Sequence, residues 1–79
     1  MDQYEKNAQK AIIAMPALTS ALRGETLLTS SGFFVRVIKL PAGSTKKGCA
    51  YGLEIGMLFA ADALKRLESA DIKHGDLLV

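Results

Sequence analysis

Tryptophan is absent, cysteine and histidine occur once each, proline twice, and neither charge sign dominates. Each scarcity removes a class of function. A single cysteine, Cys49, cannot close an internal disulfide, so the fold must rest on packing and the chain reads as cytoplasmic, in a reducing compartment. The sole histidine, His74, has no Cys, His or paired carboxylates at ligand spacing around it, so it reads as a surface residue; no metal and no other cofactor is expected. No Ser/His/Asp set or carboxylate pair is placed for hydrolysis, which argues against a turnover enzyme. The formal net charge is +2 and the basic residues run no longer than a pair such as Lys46-Lys47. A nucleic-acid surface concentrates many more cations on one face. No run approaches the roughly 18 apolar residues that a membrane helix needs. The opening stretch from Met1 to Lys10 is polar and mixed in charge, unlike a secretory leader.

What is present is an ample apolar core. Of 79 residues, 49% are hydrophobic, enough for one domain and no more. A chain of this size buries only about 60% of its unfolded surface, so stability is modest. Residues 1–9 read as a polar lead-in and 10–79 as a single domain. Ala11 to Met15 is an apolar run of strand length closed by Pro16. From Ala17 to Ser31 the period turns helical, with Ala17, Ala21, Gly24 and Leu28 on one stripe and Gly32 as the stop. Gly24 on that stripe implies close approach to a sheet. Phe33 to Leu40 is rich in aromatic and β-branched residues and ends at Pro41. Cys49 to Ile55 alternates, with Tyr51, Leu53 and Ile55 on one side. A second amphipathic helix is expected from about Leu58 to Ala70, with Ala60, Ala63, Leu64 and Leu67 inward and an Asp62–Arg66 pair. The tail from Ile72 to Val79 suits a brief last strand. The order β-α-β-β-α-β predicts an α+β, ferredoxin-like two-layer sandwich, strand order 4-1-3-2, with both helices on one face of an antiparallel sheet.

Chemistry centres on Cys49. As a free cysteine it could be a small buried apolar residue. It also stands where a glycine-bounded loop, Gly43-Ser44-Thr45-Lys46-Lys47-Gly48, meets a central strand. Lys46 and Lys47 would favour thiolate over thiol, so Cys49 is expected to be partly accessible and more acidic than an ordinary thiol at about 8.5. The loop matches the first half of a phosphate-binding G-x-x-x-x-G-K-[ST] pattern. Cys49-Ala50 then replaces Lys-Ser/Thr and a strand replaces the helix, which argues against nucleotide binding. Backbone N–H groups of the loop could still hold a small anion.

Several segments together resemble the selenium/sulfur carrier-like family of small single-cysteine domains. They are Ala14-Met15-Pro16, Ala21-Leu22-Arg23-Gly24-Glu25, the Gly32 stop, the Phe33-to-Pro41 strand and Cys49-Ala50-Tyr51-Gly52-Leu53, spanning about residues 10 to 79. The resemblance implies a thiol at Cys49 that carries sulfur or selenium between a donor and an acceptor protein. In the family a serine-rich loop precedes the cysteine; here Ser44 and Thr45 stand in the loop, the spacer Lys46-Lys47-Gly48 follows, Ala50 replaces a glycine and Gly52 holds the small position.

Two other readings compete with the carrier: an interaction module in which Cys49 is structural, and an anion-binding module at the Gly43–Gly48 loop. Two helices cover one side of a four-stranded sheet. If Phe33, Val35 and Val37 face the helices, Phe34, Ile38 and Leu40, with Arg36 among them, face outward, with Ala11, Ile13 and Met15 as possible neighbours. Such a patch predicts a homodimer or a bound partner on the open face. Arg36 is expected on the exposed face or beside Cys49.

Overall fold

A computed structural model describes residues 9–43, 45 and 48–78. The polar lead-in, apart from Gln9, lies outside the described residues, as do Ser44, Lys46, Lys47 and Val79. Strand β1 (Lys10–Met15) leads into helix α1 (Leu18–Ser30), and strands β2 (Val35–Lys39) and β3 (Tyr51–Gly56) follow. A 3-10 turn (Met57–Phe59), helix α2 (Ala60–Ser69) and the short strand β4 (Leu77–Leu78) complete the chain. The result is an α+β fold with one four-stranded sheet in the order β2-β3-β1-β4, antiparallel at every pairing.

Alternation along the strands separates two faces. Ala11, Ile13 and Met15 of β1 join Leu53 and Ile55 of β3 under the helices, where they meet Ala21, Leu28, Ala63 and Leu67. This corrects the expectation that Ala11, Ile13 and Met15 lie on the open face. Pairing of Ile13 with Leu53 puts the odd residues of β1 on the same side as Tyr51, Leu53 and Ile55. The neighbours on the uncovered face are instead Ile12 and Ala14.

Gly24 is buried where α1 crosses the sheet. A methyl at its Cα would stand 2.9 Å from Leu53 Cδ1 and 3.2 Å from Leu67 Cδ2. The glycine therefore sets the helix–sheet spacing, and its propensity cost of about 1 kcal/mol is offset by the packing it permits.

Both helices end in the same backbone motif. At α1 the N–H of Phe33 donates to Leu28 O at 2.9 Å and that of Gly32 to Thr29 O at 3.1 Å, with Gly32 at φ 96°. Phe33 is thereby spent on the helix cap, which is why β2 begins at Val35 rather than at Phe33. At α2 the N–H of Ile72 donates to Leu67 O at 2.9 Å and that of Asp71 to Glu68 O at 3.1 Å. Asp71 takes the left-handed position, φ 60°, that glycine holds in α1. Ile72, 7% exposed, then packs back onto the core and aims the following residues across the sheet. Among the described residues the ion pairs are Arg36–Glu54 and His74–Glu68, so the expected Asp62–Arg66 pair is not formed. Both of its members are exposed, where such pairs gain little.

Candidate functional site

Cys49 lies two residues before β3, not within it. The ladder between β2 and β3 closes at Lys39–Tyr51, with one further bond from the N–H of Leu40 to Ala50 O at 2.7 Å. Beyond it the backbone turns at Gly48, φ 71°, whose N–H donates to Thr45 O at 3.2 Å. The N–H of Cys49 donates to Thr45 Oγ1 at 2.8 Å. Thr45 therefore does have a role at the cysteine: it anchors the backbone there. The lysines expected to activate the thiol lie outside the described residues. Gly43 and Gly48 are both exposed at the loop's ends.

Freed from strand alternation, the Cys49 side chain joins Ala14 and Leu40 in a small cluster flanked by Ile12, Ile38 and Leu78. These are the residues of the face that the helices leave uncovered. The cysteine is thus outside the main core, yet only 8% exposed, against the expected partial accessibility. Its cover is the segment after α2. The N–H of Gly75 donates to Ala14 O at 2.6 Å, and the N–H of Ala14 donates to Asp76 O at 2.9 Å. A methyl on Gly75 would stand 3.3 Å from Cys49 Sγ, so the sulfur sits directly against that backbone.

Among the described residues, His74 supplies the side-chain hydrogen bonds of the covering segment, beyond the buried Ile72. His74 is half-buried rather than a free surface residue; Nε2 lies 3.1 Å from Glu68 Oε2 and Nδ1 lies 2.9 Å from Gly75 O. Both of those oxygens are acceptors, so each contact is a hydrogen bond when the ring nitrogen facing it carries a proton. The contact between His74 and Glu68 ties the segment to the end of α2, one residue from the glycine over the thiol.

The outward-facing set expected as an interface is divided. Phe34 is 93% exposed, Leu40 is 7% exposed inside the cysteine cluster, and Ile38 is half-buried beside it. Leu40 is therefore not an outward surface residue: its position past the end of β2 folds it over the cysteine. Arg36 Nη2 bonds Glu54 Oε1 across the strands at 3.0 Å. The register puts that pair five residues up β3 from Cys49, roughly 17 Å away at strand spacing, so Arg36 is not beside the thiol. Among the described residues no group of three or more His, Cys, Asp or Glu side chains could hold a metal. No described helix is long and apolar enough to cross a membrane. No family model, curated protein or solved structure matches the chain.

Proposed function

We propose that this protein carries sulfur or selenium on Cys49, as a persulfide or selenopersulfide, between a donor protein and an acceptor protein. The observation that supports this reading is the place of the chain's one thiol. It is kept out of the helix-covered core and sits on the uncovered sheet face, beneath a single backbone segment. The order of elements and strands supports a ferredoxin-like arrangement, which leaves that face free for a partner.

The chemistry is an exchange with no net oxidation. The Cys49 thiolate attacks the terminal sulfur of a donor persulfide. A new S–S bond forms at Cys49, the donor's S–S bond breaks, and its electron pair leaves on the donor sulfur as thiolate. An acceptor thiolate then repeats the step on Cys49. A selenium atom in the terminal position follows the same path. The carrier has no turnover of its own and works in a reducing compartment. Access requires the segment 73–76 to lift from Ala14 while Ile72 stays packed on the core, losing two backbone hydrogen bonds and the His74–Glu68 contact. Alkylation of native protein by iodoacetamide tests this access. Labelling of Cys49 faster than global unfolding supports the carrier, and labelling only at the unfolding rate contradicts it.

The 8% exposure of Cys49 favours a second reading, an interaction module in which the cysteine packs and the open face binds. Ile12, Ile38 and Leu78 are half-buried there, and a homodimer through that face would cover them. Light scattering at micromolar concentration decides it. A dimer that Ile38→Asp dissociates supports the second reading; a monomer excludes the homodimer.

A further inference from the structure

All three phenylalanines of the chain gather at the end of the sheet opposite Cys49. The Phe33 and Phe59 rings meet edge to face with centroids 6.3 Å apart. With Phe34, Lys10, Gly32 and Gly56 they line a cleft of about 250 Å³. Phe33 is also a wall of two neighbouring clefts, one of about 390 Å³ with Lys10 and Arg36, and one of about 360 Å³ with Lys65 and Arg66. Three concave sites thus open around one ring. Phe34 is 93% exposed and Phe59 55%, and Leu58, next to Phe59 in the chain, is 78% exposed.

Charge selects the occupant. Among the described residues Lys10, Lys65 and Arg66 have no ion-pair partner, whereas Arg36 is matched by Glu54. Asp62 is the remaining carboxylate in the three walls. The rim therefore carries surplus positive charge around the three clefts. We propose that this end of the molecule docks an acidic segment of a partner protein, seating an aromatic or large aliphatic side chain beside Phe33 and Phe34 while its carboxylates meet Lys10, Lys65 and Arg66. A membrane surface fits less well, because Glu54 and Asp62 would face anionic headgroups. The surface does not depend on the thiol chemistry, since β3 separates the two by roughly 17 Å.

The probe is a synthetic peptide with a central phenylalanine flanked by two aspartates on each side, titrated into isotopically labelled protein by amide NMR. The expected result is saturable shifts confined to Lys10, Gly32, Phe33, Phe34, Gly56, Lys65 and Arg66, weakened at least about tenfold by raised salt. The fully exposed Phe34→Ala variant, which removes no core contact, should lose that binding by a similar factor, and Cys49→Ser should keep it. A peptide with asparagines in place of the aspartates that binds equally well would overturn the proposal. So would shifts centred on Cys49, the absence of any shifts, or binding to phosphatidylserine vesicles without binding to the peptide.

Discussion

The sulfur of Cys49 packs against the backbone of Gly75. A methyl group on Gly75 would lie 3.3 Å from Sγ, 3.3 Å from Ala14 O and 3.4 Å from Ala14 Cβ. Neither residue is near the other in sequence, and no motif links them. The contact makes the glycine both the seal over the thiol and the part of the seal with the least material in it.

Gly75→Ala tests that contact. The glycine has no positive φ to lose, so the added methyl acts by crowding alone. Overpacking of this kind costs about 1–3 kcal/mol. The expected outcome is a lower urea midpoint together with faster alkylation of Cys49, as the segment rides off Ala14. Unchanged midpoint and unchanged labelling would show that the segment yields freely and seals nothing.

Glu68→Gln separates sealing from folding. Glu68 is an exposed partner of His74, with 64% of its side chain accessible, so global stability should change by less than about 1 kcal/mol. Cys49 alkylation should nevertheless rise several-fold, because His74 loses its charged partner and loosens its hold on Gly75. Labelling that follows global stability alone would remove the anchor role from His74.

The two-faced sheet could be read from the sequence because strand and helix periods are strong signals here. Val35, Val37, Leu53 and Ile55 alternate cleanly, and Ala21, Gly24 and Leu28 recur at helical spacing. The misreading of Ala11, Ile13 and Met15 arose because every residue from Ala11 to Met15 is apolar, so alternation gave no parity; only the pairing with β3 sets it. Cys49 stood out as the single thiol, but its neighbours did not. Gly75 reaches it, and His74 reaches Glu68, through the reversal at Asp71, and an aspartate at a left-handed helix end lacks the glycine signal that marked Gly32.

Gly24→Ala weighs propensity against packing. In an exposed helix the change would gain about 1 kcal/mol. Here the new methyl would meet Leu53 Cδ1 at 2.9 Å and Leu67 Cδ2 at 3.2 Å, and both leucines are fully buried. Overpacking at about 1–3 kcal/mol should outweigh the gain, giving net destabilisation by denaturant titration. A stabilised variant would show that α1 can move outward without loss.

The most direct measurement of the carrier assignment is intact mass spectrometry of the reduced protein after incubation with a small-molecule persulfide under anaerobic conditions. The account predicts the added mass of one sulfur, located at Cys49, removed by a thiol acceptor and absent in Cys49→Ser. It further predicts faster loading in Gly75→Ala, whose cover is displaced. A native protein that takes up no sulfur, while the same chain unfolded in urea does, would contradict the account and leave Cys49 as a packing residue.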